Sequence, residues 1–313
     1  MRQIIYFFVI ISLSFTVNAQ LQNRSLEFEI EEQTSSTDPV NKRGAEFPEE
    51  VAKLNQNGIN AVLKENDYGK AIDFFRRAAG LAPGCFTCRL NLGESLLKLE
   101  YNDEAIDVLT KLVKDKPDYA NAYSILGVAF YNKKRYAESI SAFQKALTFQ
   151  PRDAITLCNL GLALHHSEKY EEALKNFTLA LEVNPGTVEA YSNRGVTLAT
   201  MGRYKDALAD FLQAEKMRPD TAEIENNIGV TLSQLGKPKV AHKHYERALE
   251  LQPDYDAARY NLAISFLERN DRKQADEQLR LLEKNNFEMA QELRKQFWKK
   301  YVINADDMKK ALN

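Results

Sequence analysis

Two cysteines three residues apart, Cys85 and Cys88, have a type and spacing that could do chemistry. They open a predicted helix, and a helix N-terminus lowers the pKa of a thiol. The pair is therefore a redox-active dithiol, a local structural disulfide in an exported chain, or two thiols without a role. Arg89 stands where covalent haem attachment needs a histidine. Cys158 falls on another predicted helix roughly 16–20 Å away, too far to join the pair.

The remaining candidate residues for catalysis or metal binding form no convincing site. The histidines occur as His165-His166 and as His242 with His244. Residues this close on a helix point apart, so we expect surface or groove side chains and no metal. The sequence has no G-x-S-x-G, no H-E-x-x-H and no phosphate-binding glycine loop. We therefore expect a protein that is not an enzyme and that has no cofactor and no small-molecule substrate.

A regular row of asparagines is the strongest indication of a binding site. Its members are Asn91, Asn159, Asn193, Asn227 and Asn261, with Ile125 in the one gap. A primary amide offers a donor and an acceptor, the pair needed to hold a peptide C=O and N–H. Three residues after Ile125 and after the four later asparagines, on the same helix face, come Val128, Leu162, Val196, Val230 and Ile264. The row predicts an extended peptide held by its backbone, with Val196 and Val230 as apolar contacts. The alternative is that the amides are merely solvated and the valines pack between helices.

The elements that carry these residues are copies of one unit. Prolines recur every 34 residues, at Pro83, Pro117, Pro151, Pro185, Pro219 and Pro253. Within the copy Ala154–Gly186, apolar residues repeat at helical spacing in two stretches, which a polar segment separates. Glycines keep the same step, at Gly93, Gly127, Gly161, Gly195 and Gly229. Large residues do so at Phe75, Leu109, Phe143, Phe177, Phe211, Tyr245 and Leu279. Each copy is thus predicted to be a helical hairpin.

This pattern resembles the tetratricopeptide repeat family, whose signature joins L-G-x-x-Y, A-x-x-x-F and a proline in one helix–turn–helix. The resemblance implies an all-α fold, a solenoid in which about seven hairpins form a right-handed superhelix whose first helices line the concave wall. The asparagine row then resembles the asparagine ladder of the O-linked N-acetylglucosamine transferase repeats and of kinesin light chain. The family's carboxylate clamp is absent, because Asn121 and Ile125 occupy its lysine and arginine positions. In the first copy Ile59 stands at the glycine position and Gly58 one residue before it, which leaves that register open.

The ends of the chain differ from the repeats. Residues 1–19 predict an export signal, with Arg2 before an apolar run that is shorter than the ~20 residues of a membrane-spanning helix. Residues 20–50 have the composition of a disordered linker. The solenoid is predicted at 51–286, followed by a capping helix and tail at 287–313 that covers the last hairpin. We therefore expect a soluble extracytoplasmic protein, periplasmic or secreted.

The balance of basic and acidic residues limits which classes of binding partner we expect. The 42 basic residues against 44 acidic ones argue against nucleic acid, whose binders concentrate positive charge. Membrane contact is not expected either. The sequence thus predicts an exported scaffold that binds an unidentified protein or peptide on its concave face. The alternatives are a thiol-redox protein built on Cys85 and Cys88, or an assembly component that uses its convex face.

Overall fold

The computed structural model describes residues 48–296, and the regular structure in that range is α-helical. The helices are α1 (Glu49–Glu65), α2 (Tyr68–Leu81), α3 (Phe86–Lys98), α4 (Asn102–Asp115), α5 (Ala120–Asn132), α6 (Tyr136–Phe149), α7 (Ala154–His166), α8 (Tyr170–Val183), α9 (Val188–Thr200), α10 (Tyr204–Met217), α11 (Ala222–Gln234), α12 (Pro238–Leu251), α13 (Asp256–Glu268) and α14 (Arg272–Asn285). A further helix, α15, begins at residue 287, and its described part ends at 296. The predicted all-α fold is confirmed over this range. The predicted export signal, the linker up to residue 47 and the tail beyond 296 lie outside the described residues.

The described residues divide into two compact units, 48–187 and 188–296. The first unit contains α1–α8 as four helical hairpins, and the second contains α9–α14 as three hairpins followed by α15. Within each unit the two helices of a hairpin pack together, and each hairpin packs against the next. The boundary between the units coincides with the boundary between the predicted fourth and fifth copies.

A common turn joins the helices of hairpins two to seven. One residue in each turn has positive φ, namely Glu100, Lys134, Glu168, Gly202, Gly236 and Asn270. The next backbone N–H donates to a carbonyl in the last turn of the first helix, as from Arg135 to Phe130 at 2.9 Å. This is the Schellman arrangement, which satisfies carbonyls that the helix end would leave unpaired. Since backbone hydrogen bonds define this turn, other residue types can adopt the positive φ, and glycine occupies that position only at Gly202 and Gly236.

A contact between a glycine and a large side chain holds each hairpin closed. A Cβ added at Gly127 would lie 2.6 Å from the Phe143 ring, and one added at Gly161 would lie 2.6 Å from the Phe177 ring. The same contact joins Gly93 to Leu109, Gly195 to Phe211 and Gly229 to Tyr245. In the last hairpin Ala263 stands at the glycine position and packs in one cluster with Leu279. The helices of each hairpin therefore approach too closely for a larger first-helix residue.

The first hairpin keeps this contact in a shifted register. A Cβ at Gly58 would lie 2.5 Å from the Phe75 ring, so Gly58, and not Ile59, takes the glycine position in the register that the sequence left open. Helix α1 has 17 residues, against 13 in the first helices of the other hairpins. The extra residue between Gly58 and Phe75 is accommodated at the turn, where Asn66 has a left-handed φ of 53°. Packing therefore overrides the strict sequence period here.

Helix α15 covers the apolar face of the last hairpin. Its Met289, Ala290 and Leu293 are buried in one cluster with Tyr260 and Leu282. The Arg294 guanidinium reaches Glu283 on α14 at 2.6 Å. The sequence places Met289 and Leu293 on one apolar helix face, and that face packs inward. None of the helices described in residues 48–296 is both long and apolar enough to cross a membrane.

We expect Phe177→Ala to lower the free energy of unfolding by about 3–5 kcal/mol, because it empties the contact with Gly161 inside the fourth hairpin. Leu179→Ala on the same helix is the matched control, since Leu179 is exposed and its removal should cost less than about 0.5 kcal/mol. Urea denaturation followed by circular dichroism measures both. Equal effects of the two substitutions would show that the glycine contact does not hold the hairpin.

Candidate functional site

The predicted asparagine row lies inside the stacked hairpins. The side chains of Asn91, Asn159, Asn193, Asn227 and Asn261 are 1%, 2%, 1%, 6% and 8% exposed. They sit on the first helices α3, α7, α9, α11 and α13, where each first helix faces the first helix of a neighbouring hairpin. They are therefore not openly solvated, and their contact with a ligand stays a prediction.

Some of these amides connect consecutive hairpins. Asn91 Nδ2 donates to Asn55 Oδ1 on α1 at 3.1 Å, and Asn261 Nδ2 donates to Asn226 Oδ1 on α11 at 2.8 Å. Where Ile125 interrupts the row, the neighbouring Ser124 hydroxyl lies 2.7 Å from that of Thr156 on α7. The row thus supplies polar bonds between first helices, a role that the sequence pattern alone does not reveal.

Two amide oxygens of the row have no hydrogen-bond donor. Asn91 Oδ1 and Asn159 Oδ1 are both buried and both unpaired. A buried acceptor without a donor costs about 1–3 kcal/mol, so such atoms in a folded protein require an explanation. A donor from water or from a bound backbone N–H would satisfy them.

The valines predicted to contact a ligand are packed within the protein. Val196 is 2% exposed and Val230 is 4% exposed, and Val128 and Leu162 are buried as well. Their position three residues after the amides turns them toward neighbouring helices. The packing alternative therefore describes their surroundings, and a ligand contact by Val196 or Val230 is not shown.

Two sets of equivalent positions on the asparagine-bearing face of the first helices are accessible, and the sequence analysis did not predict them. The first flanking row lies four residues before the amide register, and its half-buried members are Thr87, Asn121, Ile155, Glu189 and Glu223. The second flanking row lies seven residues after that register, and its half-buried members are Lys98, Asn132, His166, Thr200 and Gln234. Spacings of four and seven residues keep both rows on the amide face of each helix. A signal was available in the sequence, since these positions change residue type from copy to copy.

The two neighbouring cysteines form a disulfide at the start of α3. The Sγ atoms of Cys85 and Cys88 are 1.97 Å apart, and Cys85 occupies the N-cap position of the helix. Both residues are buried with Val51, Leu54, Ala78 and Ala82. Disulfide exchange requires a thiolate to reach a sulfur atom, and this cluster leaves little access. The disulfide is therefore a local structural link at the first turn of α3, and it packs against residues of the first hairpin.

The histidines are more buried than the expected surface or groove positions. Burial lowers the pKa of His165 to about 4, with a smaller contribution from His166. The His166 ring stacks on Tyr136 at a centroid distance of 5.2 Å. His242 is buried and bonded to Ser265 at 3.0 Å, and His244 lies 2.7 Å from a Glu225 oxygen. Across residues 48–296, no group of three or more His, Cys, Asp or Glu side chains is placed to hold a metal ion.

Polar side chains also link the two helices within hairpins of the second unit. Arg194 makes two hydrogen bonds of 2.8 Å to the carboxylate of Asp210, which is buried. On the first flanking row, burial raises the pKa of the Glu223 carboxyl, and Arg218 partly opposes that shift. Glu189 of the same row pairs with Arg218 at 2.6 Å. The first flanking row of the second unit therefore carries two carboxyl groups, one of which is paired with Arg218.

We expect one reactive thiol in the unfolded, unreduced protein and three after reduction, because the sequence has three cysteines and Cys158 is the one outside the disulfide. Titration with a chromogenic disulfide reagent in denaturant measures this number. Cys158→Ser is the control and should show no thiol before reduction. Three thiols in the unreduced original protein would contradict the disulfide.

Acid should destabilise the protein partly through His165. Its folded pKa of about 4 lies below its ordinary value of 6.5, so the unfolded chain takes up the proton first. This contribution to stability is complete above pH 6.5 and is lost as the pH falls toward 4. Between pH 7 and pH 5 the original protein should lose about 2 kcal/mol more than His165→Leu, measured by urea denaturation. Parallel pH profiles would refute the shift.

Comparison with solved structures supports the hairpin stack. A tetratricopeptide repeat protein from Parabacteroides merdae superposes with a TM-score of 0.65 at 17% identity, covering 79% of this chain and 98% of that one. A chain of the Cut9–Hcn1 hetero-tetramer of APC/C gives 0.62 at 17% identity, covering 70% of this chain and 43% of that one. PilF of Pseudomonas aeruginosa gives 0.59 at 19% identity, covering 67% and 97%. These likenesses show the fold alone.

Sequence comparisons agree with the structural ones. The small glutamine-rich tetratricopeptide repeat-containing protein 2 of Mycosarcoma maydis is 32% identical over 92 residues, which are 29% of this chain and 26% of that relative. The chain thus matches only about a quarter of that protein's length. Three models described as tetratricopeptide repeat match residues 90–154, 152–220 with 187–254, and 232–296. Together these matches show that the chain belongs to the tetratricopeptide repeat family.

Proposed function

We propose that this protein is a non-catalytic scaffold that binds an extended protein segment along the amide face of its first helices. Proteins with this repeat typically bind protein or peptide partners, and the fold is generally that of an interaction scaffold. The observation that carries the proposal is the pair of flanking rows. They are accessible, lie on one helix face, and carry residues that hairpin packing does not require.

The unpaired amide oxygens support a ligand backbone on this face. Asn91 Oδ1 and Asn159 Oδ1 lie between the two flanking rows and need donors. A backbone N–H from a segment in extended conformation is such a donor, because every second N–H points to the same side. We therefore keep the prediction that asparagine amides bind the ligand backbone, but only for the amides whose oxygen is unpaired. The Nδ2 groups of Asn91 and Asn261 donate to asparagines of the preceding hairpins.

We further propose that the protein works in an oxidising compartment outside the cytoplasm. The Cys85–Cys88 disulfide supports this proposal, because disulfides persist in such compartments and are rare in the cytosol. The sequence of residues 1–19 supports it independently. A thiol-redox function receives no such support, since both sulfur atoms are enclosed in the cluster of the first two hairpins.

A displayed library of random peptides tests the binding function. The native protein should enrich related peptides, and Ile155→Glu should abolish their binding because it places a charge in the middle of the first flanking row. Leu179→Glu is the matched control, because it adds the same charge to the exposed side of the second helix α8. Calorimetry with one enriched peptide and thermal melting of each variant measure affinity and folding separately.

The outcomes separate this face from the convex surface. Loss of affinity in Leu179→Glu with normal affinity in Ile155→Glu would move the binding site to the outer face and contradict the proposal. Asn159→Ala adds a test of the backbone grip. It should weaken binding by about three- to tenfold, the value of one hydrogen bond, without lowering the melting temperature, since its oxygen has no partner in the free protein. Unchanged affinity would remove the amide from the site.

A further inference from the structure

The second flanking row contains a buried amine whose charge the protein does not compensate by a hydrogen bond. Lys98 is the last residue of α3, and its Nζ atom is buried without a hydrogen-bond partner. No carboxylate pairs with it among the ion pairs of residues 48–296. A buried ammonium without a partner is among the most costly groups in a folded protein. Its retention on an otherwise accessible row requires a reason.

The residues around Lys98 do not supply that reason. Glu94, one turn earlier on α3, favours the charged amine only from a distance, and burial still lowers the pKa of Lys98. At the equivalent position of the next hairpin, Asn132 donates to Asn102 Oδ1 at 3.1 Å and so has a partner in the preceding hairpin. The comparison shows that this position can be satisfied within the repeat stack, and that Lys98 is not.

A second unpaired atom lies in the same row. His166 is two copies beyond Lys98, and its Nε2 is buried without a hydrogen-bond partner, while its ring is held against Tyr136. Lys98 is also seven residues after Asn91, whose Oδ1 is unpaired on the same helix face. With Asn159 Oδ1, four unpaired polar atoms of the first unit thus lie on the face proposed to bind a peptide.

We propose that Lys98 Nζ pairs with a carboxylate of the bound segment, so that the first unit selects acidic peptides. This inference rests on the proposed binding function. A flexible four-carbon stem lets the ammonium move out of its buried position toward the ligand. One compact ammonium with Glu94 nearby suits a single negative charge better than a phosphate dianion. The carboxylate belongs either to an Asp or Glu side chain or to the C-terminus of the segment.

The flanking rows of the second unit do not provide the preference for acidic segments that Lys98 would give the first unit. There the first flanking row carries the acidic residues Glu189, which pairs with Arg218, and Glu223. The second flanking row has Thr200 and Gln234 there, and neither is basic. The first unit has neutral Thr87, Asn121 and Ile155 in the first flanking row. A segment with an acidic residue at Lys98 is therefore placed on α3 rather than on the second unit.

The experiment compares peptide selections by the native protein, Lys98→Met and Lys111→Met. Lys111 is an exposed lysine on α4 and serves as the matched control. Peptides enriched by the native protein and by Lys111→Met should be rich in Asp and Glu, and those enriched by Lys98→Met should not. An acidic peptide should bind Lys98→Met about tenfold or more weakly than the native protein, as expected for the loss of a charge-assisted hydrogen bond.

Replacing the carboxylate in the peptide tests the same contact without a protein variant. This experiment therefore decides the question even if Lys98→Met fails to fold. Replacing the enriched Glu by Gln, or a C-terminal acid by its amide, should lower affinity for the native protein by the same factor and reduce its salt dependence. The two swaps show which carboxylate is used. If peptides are enriched without acidic preference, the Lys98 inference is wrong and the binding function stands. If no peptide is enriched, the binding function itself fails.

Discussion

The close approach of two helices at a glycine is the constraint on which the rest of this structure depends. At Gly58, Gly93, Gly127, Gly161, Gly195 and Gly229 an added Cβ would fall 2.5–2.8 Å from a large side chain of the second helix. Such a distance lies well inside van der Waals contact, so any larger residue would force the hairpin apart. In the last hairpin Ala263 stands at the glycine position. The larger residue is tolerated there because the facing Leu279 is only partly buried. Once the hairpin distance is set, its shape is repeated, and identical shapes can stack.

The stacking of hairpins in turn determines which hydrogen-bond partners the polar groups on the first helices have. A helix packed between its partner and the next hairpin has little surface left, and the amides of Asn91 and Asn261 therefore bond to other amides rather than to water. In the second unit the Asp210 carboxylate is buried as well, and it accepts two hydrogen bonds from the partly buried Arg194. A buried pair of this kind contributes little net stability but is costly to break, so it favours one register of the hairpin. Apolar contacts thus define the hairpin, and polar contacts define how its helices align.

The sequence predicts the hairpins well because their determinants are local and repeated. Proline, glycine and aromatic positions recur at one interval, and each copy supports the reading of the others. The sequence leaves the register open where a contact can tolerate a change of spacing, as at Gly58, whose extra downstream residue is taken up by the turn at Asn66. For the site, the sequence identifies one face of the first helices but not the accessible part of that face. Exposure depends on how closely neighbouring first helices approach, and that distance is not encoded in the spacing along one helix. The flanking rows could have been found by asking which positions on this face vary among the copies.

Variation among internal copies has a physical meaning that applies to the whole protein. A position that repeats its residue type is held there by packing that every hairpin shares. A position that varies, such as the one filled by Lys98, Asn132 and His166 in three consecutive copies, is free of that requirement. Where the residue found there also carries an unpaired buried atom, as Lys98 and His166 do, it lowers the stability of the free protein and has no role in shared packing. The scaffold can carry such groups because each hairpin is held by contacts on its other faces. Under the proposed function, binding specificity resides in the few side chains that the repeat does not need.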